Sequence, residues 1–595
     1  MTSSASTPTQ EKPSLSEESD DKSSLPGEPA LLGDINKSSG VRRIEIINEH
    51  LTPALKAWTF IGVFFVAYCY NLDYTVRNTL QSYATSSFST HSLLSTVNVL
   101  RSIVAAACYP AYAKIADTFG RIEMMLFCTV LYVVGTIVEA TSSGIKSYCA
   151  GAVIFQAGYS AAVLVPYIVI GDLTSLRSRV LVSVIPYLPY IINTWASGNI
   201  VDSISVHTSW NVGIGIWAAV FPFCVLIFLV PLWIAERRAK KSGRLEGFLT
   251  PFQQLGVKRV AVNLFWELDV IGSILIIAVL TLILLPFTLA GGTKTGWTAP
   301  HNLAMLIVGV VVALPALILW EKLYARAPAI PVYLMRSRTI LGCFGISILP
   351  DLVYYLTGEY LYTVLVVGFN ESILSATRIV SVSGFTSTLV AIAAGTFIRF
   401  VPRVKLLILA GMAVYIISIG MMIRFRGHTD SHAGIIASQV LLGLSSGLFP
   451  FAAQVLVQVE GTHQHMAILL ATYRAVGNIG SAVGQAVGGA IWTQILPAKL
   501  EVALNHDMTE VAAAYGDPFR WVYTAPWGTP QREAVVAAYS HVQKLLCIAG
   551  ICFCIPLVGC ALVLKDYTLT ADQSLPDAEA GRNAKTGEII SEAKL

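Results

Sequence analysis

The strongest constraint on this chain is a succession of long apolar segments that are separated by mostly short polar connections. A helix that crosses a lipid bilayer needs about 20 mainly apolar residues, and about fourteen segments of the sequence qualify. Their approximate limits are 56–80, 92–113, 122–142, 147–171, 180–201, 209–234, 268–289, 302–321, 339–367, 373–398, 404–423, 433–458, 466–495 and 542–564. Only 13% of the residues are charged, against roughly 25% in soluble domains. We therefore expect an all-α protein whose solvent is lipid.

Lysine and arginine residues are distributed unevenly between alternate connections. If the N-terminus is cytoplasmic, the inner connections carry 18 of these residues and the short outer ones carry 4. Connections that are rich in Lys and Arg stay on the cytoplasmic side of a membrane. The sequence therefore predicts that both termini are cytoplasmic.

Four stretches lie outside the apolar segments. Residues 1–55 and 566–595 are polar and of low complexity, and we expect them to be disordered cytoplasmic tails. Residues 235–267 form a basic inner loop, and residues 497–541 form a long outer loop that is rich in aromatic residues. The outer loop is either a simple connector or a lid over the outer mouth. The candidate lid residues are Tyr515, Trp521, Tyr523 and Trp527.

A charged motif stands between the second and third apolar segments. Residues 113–121 read Ala-Lys-Ile-Ala-Asp-Thr-Phe-Gly-Arg. They resemble the G-x-x-x-D-R-x-G-R signature of the major facilitator superfamily, with Ala for the first Gly and Thr for the first Arg. Glycine permits a tight connection, and the charges lie at helix ends. The resemblance implies a conformational latch, whose candidate residues are Lys114, Asp117, Gly120, Arg121, Asp172 and Arg179.

A second and weaker copy of the motif follows 282 residues later. The aligned positions are Gly395, Arg399, Pro402 and Arg403 under Ala113, Asp117, Gly120 and Arg121. An internal repeat of this kind predicts a major facilitator fold of two six-helix halves. The halves are expected at 56–234 and 339–565, and an inserted helix pair with its linker is expected at 268–338.

Ionisable residues inside the apolar segments are functional candidates, because an unpaired charge in a membrane is costly. Asp73 and Arg77 are four residues apart, so they share a helix face and can pair. We expect Asp73 to be the proton carrier, because a carboxylate beside a cation can alternate between a protonated and a paired state. The other candidates for proton coupling are Glu139, Asp351 and Glu359. The alternative is that these charges form structural ion pairs that hold the bundle together.

Aromatic and amide side chains are dense in the segments that would line a central cavity. Such a lining suits a large, neutral, amphipathic ligand better than an ion or a small sugar. The candidate substrate-binding residues are Arg77, Arg101, Tyr74, Gln156, Tyr167, Tyr187, Tyr190, Asn193, Trp195, Tyr354, Tyr355, Tyr362 and Arg474.

Several stretches resemble the fungal siderophore–iron transporter family. They are Gln-Ser-Tyr-Ala-Thr-Ser-Ser-Phe at 81–88 with His-Ser-Leu-Leu at 91–94, residues 113–123, Tyr-Leu-Pro-Tyr-Ile-Ile at 187–192, and Tyr-Tyr-Leu-Thr-Gly-Glu-Tyr-Leu-Tyr at 354–362. The likeness covers roughly 50–565. It implies uptake of ferric siderophores with protons, at the plasma membrane or in endosomal vesicles. Triacetylfusarinine C is our first choice of substrate, and ferrichrome-type siderophores remain open.

A ferric trihydroxamate brings its iron already chelated, so the protein needs neither a metal site nor a cofactor. The expected partners are the ferric siderophore, protons and the lipid bilayer, with the protein acting as a monomer. A fourteen-helix drug or glutathione antiporter and a non-transporting sensor on the same fold are the alternatives. No phosphate-binding loop, no feature of an enzyme and no basic stripe for nucleic acid stands in the sequence.

Overall fold

The computed structural model describes residues 33–34, 37–174, 182–243, 251–290, 294–326, 337–397, 404–427, 432–460 and 466–565. Within these ranges the chain is almost entirely helical, which is confirmed as the fold class. Lipid offers no hydrogen bonds to the backbone, and a helix satisfies its own backbone groups. A two-residue antiparallel hairpin, β1 (Gly33–Asp34) and β2 (Lys37–Ser38), precedes the first helix.

The N-terminal half contains eight of the described helices. They are α1 (Ser39–Glu49), α2 (Pro53–Ser87), α3 (Leu94–Phe119), α4 (Arg121–Ala140), α5 (Ile145–Leu173), α6 (Pro189–His207), α7 (Trp210–Gly215) and α8 (Trp217–Lys241). Short 3₁₀ turns at His91–Leu93 and Ile185–Tyr187 lead into α3 and α6.

The middle of the chain follows. It comprises α9 (Pro251–Glu267), α10 (Val270–Leu289), α11 (Lys294–Thr298), α12 (Pro300–Ile307) and α13 (Leu314–Leu319), with π-helical turns at Val308–Ala313 and Trp320–Tyr324. The C-terminal half then contains α14 (Arg338–Gly358), α15 (Leu361–Gly368), α16 (Ile373–Phe397), α17 (Val404–Phe425), α18 (His432–Glu460), α19 (Met466–Ala503), α20 (Met508–Gly516), α21 (Pro518–Thr524) and α22 (Pro530–Val563).

In the described part of the chain, 12 helical segments are long and apolar enough to cross a membrane. Two further long helices, α6 and α19, are less apolar and pack within the same bundle. The predicted fourteen spans include these two helices. The exact number of spans and the cytoplasmic location of both termini stay predictions.

Buried apolar side chains form two main clusters that follow the division into halves. One cluster runs from Ile44 to Ala235 and adds only Ala471 and Ala475 from α19. The other runs from Ile340 to Leu564 and adds only Leu94 from α3. Each half therefore packs mainly on itself. The limits predicted for the halves and loops stay predictions.

Helices α14 and α19 approach each other at the level of their backbones. A Cβ atom added at Gly480 would lie 2.1 Å from the carbonyl oxygen of Ile348, and one added at Gly484 would lie 2.2 Å from that of Leu352. Any side chain at these positions would push the two helices apart. Glycine is therefore required where α19 meets α14.

Helix α10 of the inserted pair lies against the line where the two halves meet. It contacts α3 and α19. Thr96 donates to Thr288 over 3.0 Å, and Val99, Ile103, Leu284, Ala482 and Ala486 form a small buried cluster there. One inserted helix therefore packs on both halves.

The prediction that all of residues 1–55 are disordered is wrong for α1. Ile44 and Ile47 are 3% and 2% exposed, because α1 is amphipathic and packs on the ends of the bundle. Arg43 donates to Glu123 and to Glu236, each over 2.7 Å. Burial alone would lower the pKa of Arg43, but these two carboxylates outweigh it and the pKa is raised. Residues 1–32 and 566–595 lie outside the described residues.

The long outer loop expected at 497–541 is largely helical. Helix α19 extends to Ala503, α20 and α21 follow, and α22 already begins at Pro530. Asp517 accepts from the backbone N–H of Arg520 and Thr529 accepts from that of Arg532, so both α21 and α22 have a side-chain cap at the N-terminus. Asp517 and Thr529, which lie in the stretch expected to be a loop, are therefore helix caps.

Candidate functional site

An open cavity lies between the two halves. Its volume is about 760 Å³, including solvent at its mouth. Tyr109 and Tyr187 line it from the N-terminal half, and α14, α16, α18 and α19 line it from the C-terminal half. The lining residues stand near the helix ends that meet the predicted inner connections. The cavity therefore occupies the predicted cytoplasmic half of the bilayer.

In the described part of the chain, Arg474 and Asp351 are the charged residues that line this cavity. Arg474 of α19 donates to the Tyr187 hydroxyl over 2.9 Å, and its guanidinium carbon lies 5.7 Å from the centroid of the Tyr167 ring. Asp351 of α14 lines the same cavity, and Arg474 is the cation that acts on it. A Cβ atom at Gly477 would lie 2.7 Å from the Asp351 carboxylate, so this glycine makes room for it.

The remaining polar lining is uncharged and comes from the C-terminal half. Ser347, Ser387, Ser446, Gln454 and Asn478 are its members. Hydroxyl and amide groups can donate hydrogen bonds to a ligand as well as accept them. The cavity can therefore hold a polar but uncharged molecule, with Arg474 as its strongest donor.

Four charged side chains form a cluster inside the N-terminal half. Arg77 donates Nε and Nη2 to the two carboxylate oxygens of Asp73, each over 3.0 Å, and donates Nη1 to Glu139. Arg101 donates to the other oxygen of Glu139 over 2.5 Å, and Tyr132 donates to Asp73. Two carboxylates and two guanidinium groups leave the cluster neutral. It is the arrangement expected of a structural ion-pair network.

Asp73 is therefore enclosed by α2, α4 and their neighbours, with 0% of its surface exposed. It does not line the cavity, whereas Asp351 does. The structure thus brings a different carboxylate to the cavity from the one preferred on the sequence.

A chain of amides leads from the cluster to the C-terminal half. Arg101 donates to Gln81 over 2.5 Å, Gln81 donates to Asn98 over 2.9 Å, and Asn98 donates to Glu359 over 2.8 Å. Gln81 is in α2, Asn98 is in α3, and Glu359 directly follows α14. This chain therefore crosses from one half of the protein to the other.

Further polar contacts join the halves on the side away from the cavity. The hydroxyls of Tyr74 and Tyr355 lie 3.2 Å apart, and those of Tyr83 and Tyr362 lie 2.9 Å apart. Two more contacts are Ser102 with Gln485 over 2.9 Å and His91 with Thr363 over 2.9 Å. We call these contacts and the Asn98–Glu359 bond the outer seal.

Helix α21 adds to the outer seal. The Phe519 ring stacks on Tyr83 with 4.7 Å between centroids, and the Asp517 carboxylate accepts from Ser86. Trp521 is 4% exposed, and burial raises the pKa of Tyr515 to about 12. Of the other two lid candidates, Tyr523 is 84% exposed and Trp527 is 50% exposed. Phe519 was not among the predicted lid residues, although it follows the Asp-Pro helix start that would have indicated an ordered segment.

The latch candidates lie at the inner end of the N-terminal half. Arg121 contacts Asp117 over 2.9 Å and Asp172 over 2.8 Å, which ties together the ends of α3, α4 and α5. Gly120 has a φ of +113°, a conformation that glycine adopts readily. Lys114 donates to the carbonyl oxygen of Glu267 over 2.8 Å. Arg179 and three positions of the second motif copy, Arg399, Pro402 and Arg403, lie outside the described residues, whereas its first position, Gly395, lies near the end of α16.

Most predicted binding residues lie elsewhere than the cavity wall. Among the candidates, Tyr187, Arg474 and Asp351 line the cavity, and Tyr167 lies beside Arg474. Arg77 and Arg101 belong to the ion-pair cluster, and the others have their described contacts within their own helix, with neighbouring helices or in the outer seal. These others are Tyr74, Gln156, Tyr190, Asn193, Trp195, Tyr354, Tyr355 and Tyr362. Sequence reasoning missed Tyr109 and Tyr473, which carry no signal beyond their aromatic character.

Comparison with characterised proteins gives relatives over almost the whole chain. The chain is 39% identical over 557 residues to siderophore iron transporter 1 of Saccharomyces cerevisiae, covering 92% of this chain and 88% of the relative. It is 32% identical over 535 residues to MFS siderochrome iron transporter C of Aspergillus fumigatus, covering 89% and 87%. A scan against protein-family models finds no match.

Solved structures with the same fold are membrane transporters. A peptide transporter POT in complex with sulfate superposes with a TM-score of 0.51 at 14% identity, covering 85% of this chain and 96% of the other. A bacterial homologue of the lysosomal transporter Spinster, in an inward-facing conformation, gives a TM-score of 0.51 at 13% identity, covering 86% and 97%. At such identities the likeness concerns the fold alone.

Proposed function

The chain belongs to the siderophore iron transporter family of the major facilitator superfamily, and we propose that it imports ferric hydroxamate siderophores by symport with protons. It is a multi-pass membrane transporter and not an enzyme. Triacetylfusarinine C is the substrate that we propose first. We place the protein in the plasma membrane, with endosomal vesicles as the alternative, and expect it to act as a monomer.

The main support for the proposed substrate class is the cavity between the halves, which is rich in hydrogen-bond donors. A ferric hydroxamate is uncharged and presents carbonyl-type oxygens at its rim, so its binding site needs hydrogen-bond donors more than charges. Arg474 supplies a guanidinium group, and Tyr109, Tyr187 and Asn478 supply hydroxyl and amide donors.

The proton-coupling part of the proposal starts from Asp351. This carboxylate borders the cavity, so it can exchange protons with the solvent that enters there. Arg474 stabilises its ionised form, and Arg474 is also the donor that a bound siderophore would engage. Substrate binding at Arg474 therefore changes how strongly Asp351 holds a proton.

Import by alternating access requires two states, of which this structure represents one. In this structure the outer seal is made and the cavity lies on the predicted cytoplasmic side. Import requires a second state in which the outer seal opens and the inner ends of the halves close. The inner contacts of Asp117, Arg121 and Asp172 stand where that closure would occur.

The substrate proposal is tested by Arg474→Gln. Loss of a charge-assisted hydrogen bond of about 1.5–3 kcal/mol predicts an apparent KM that rises about 10- to 100-fold for iron-55 supplied as its triacetylfusarinine C chelate. Uptake is measured in a yeast strain that lacks its own siderophore transporters, with surface expression quantified. Arg378→Gln is the matched control, because Arg378 lies over Trp195 at 5.7 Å and does not line the cavity.

Two outcomes would contradict the substrate proposal. An unchanged KM in Arg474→Gln would remove this residue from substrate binding. Growth of the yeast strain on a panel of single siderophores decides between triacetylfusarinine C and ferrichrome-type chelates. Failure to take up any ferric siderophore would overturn the proposed function.

A further inference from the structure

The Asn98–Glu359 hydrogen bond joins a neutral amide of one half to a carboxylate of the other half inside the outer seal. Asn98 is the direct polar partner of Glu359 in the part of the chain that the structure describes. This contrasts with Asp73 and Glu139, which are matched by guanidinium groups. Glu359 is therefore a partly buried carboxylate whose direct described hydrogen-bond partner is a neutral amide.

The amide chain that ends at Glu359 has a direction. Each link donates toward the carboxylate, from the Arg101 guanidinium through Gln81 and Asn98. Gln81 uses its oxygen for Arg101 and its nitrogen for Asn98, so Asn98 in turn must point its nitrogen at Glu359. If the Gln81 amide were flipped, its NH₂ group would face the N–H groups of the Arg101 guanidinium, donor against donor. A chain of donors polarised in this way favours a negative charge at its end.

Titratable groups near Glu359 come from several of the helices that pack there. Tyr74 of α2 and Tyr360 of its own segment interact electrostatically with it. The other charged or titratable groups near this segment are Arg101 of α3, His91 before α3, Tyr355 of α14, Arg426 after α17 and Tyr539 of α22. The nearest link to a cation is the amide chain to Arg101. The carbonyl oxygen of Thr357, two residues before Glu359, accepts from Arg426.

We propose that Asn98 is a positioning residue that ties the ionisation of Glu359 to the closure of the outer seal. This inference rests on the proposed proton symport and names the contact through which it acts. While the seal is closed, Asn98 donates to Glu359 and favours the carboxylate. When the halves part on the outer side, Glu359 loses this donor, its ionised form is stabilised less, and it takes up a proton from the outer solution.

The proposal gives the proton a direction. In the outward-open state a proton from the outer solution binds a Glu359 carboxylate oxygen. When the seal closes, Asn98 returns and the proton leaves Glu359 for water on the inner side, without any other bond being made or broken. Asp351 stands eight residues earlier, about 12 Å along the same helix axis, at the end of that path.

The test uses the purified, membrane-reconstituted full chain and needs no substrate. Infrared difference spectra recorded during a pH titration report the carbonyl band of protonated carboxylic acids, and the band lost in Glu359→Gln belongs to Glu359. Asn98→Ala should move the appearance of that band to higher pH by about one unit, because it removes one hydrogen bond to a charged group. Uptake of the ferric siderophore at high pH should persist to a correspondingly higher pH.

Ser102→Ala is the matched control. Ser102 lies one turn further along α3 and also donates across the halves, to Gln485 over 2.9 Å, but it contacts no carboxylate. We expect this variant to leave the Glu359 titration where it is in the wild type. In the Glu359→Gln background, adding Asn98→Ala should leave the infrared titration of the remaining carboxylic acids unchanged.

The outcomes separate the inference from the proposed function. An unmoved Glu359 band in Asn98→Ala, or an equal shift in Ser102→Ala, overturns the inference even if uptake of ferric siderophores is normal. A shift of the Glu359 band that occurs in Asn98→Ala and not in Ser102→Ala supports the inference. If the wild type takes up no ferric siderophore, the proposed function fails, but this spectroscopic result still supports the inference. An infrared titration that still shifts when Asn98→Ala is added to Glu359→Gln would also overturn it.

Discussion

Replacing Asp73 distinguishes a structural carboxylate from a transporting one. Asp73 was the first choice of proton carrier on the sequence, yet the structure encloses it in the cluster with Arg77, Glu139 and Arg101. That cluster contains two negative and two positive groups. Asp73→Asn would therefore leave one uncompensated positive charge in a site where 0% of Asp73 is exposed.

The size of the effect follows from the contacts that are lost. Arg77 donates twice to Asp73, each over 3.0 Å, and an asparagine can accept only one of these bonds because its nitrogen is itself a donor. Removing one partner of a buried ion pair costs about 3–5 kcal/mol. At 2–4 °C per kcal/mol, the Tm of the purified protein should fall by on the order of 10 °C.

The assay is thermal unfolding of the detergent-purified protein, followed by tryptophan fluorescence. Glu359→Gln is the control, because it neutralises a partly buried carboxylate whose direct described partner is the uncharged Asn98. We expect this variant to keep a Tm close to that of the wild type while it loses proton-driven accumulation. An Asp73→Asn protein that unfolds at the wild-type temperature and yet fails to accumulate substrate would refute the structural role of Asp73.

Two further substitutions test the cavity and the packing. Asp351→Asn should abolish accumulation of the ferric siderophore against its gradient but keep exchange of labelled for unlabelled substrate; loss of both activities would show that Asp351 is needed for more than coupling. A Cβ atom in Gly484→Val would lie 2.2 Å from the Leu352 carbonyl oxygen, so this variant should lower the Tm by several degrees. Gly559→Val is the control and should leave the Tm unchanged, because a Cβ atom at Gly559 meets nothing within 4 Å. Equal Tm values for the two glycine variants would contradict the close approach of α14 and α19.

The sequence is sufficient to predict the membrane-embedded helical architecture and the family. Length and hydropathy alone decide whether a segment can span lipid, and these properties are local. The amphipathic helix α1 could also have been found, because Ile44, Ile47 and Leu51 recur at helical spacing and are buried in the structure. The polar composition of residues 1–55 hid that short pattern.

The candidate site is less predictable because it depends on helix rotation and on contacts between distant segments. Asp73 and Asp351 are both single carboxylates in apolar helices, and only their neighbours distinguish them. Asp73 meets Arg77 and Tyr132, whereas Asp351 borders the cavity with Arg474. The spacing of four residues predicts the pairing of Asp73 with Arg77, but nothing in the local pattern specifies Tyr132 or the place of Asp351 beside Arg474.

The pairing of α14 with α19 also has a mechanical consequence. Carbonyl oxygens of α14 occupy the places that side chains at Gly480 and Gly484 would take, so neither helix can slide or roll without displacing the other. The two helices therefore move as one rigid body. Asp351 and Arg474 lie toward its inner side, and Glu359 directly follows the outer end of α14. A displacement caused by a chelate bound near Asp351 and Arg474 would therefore be transmitted along these two helices to Glu359, toward the other side of the bilayer.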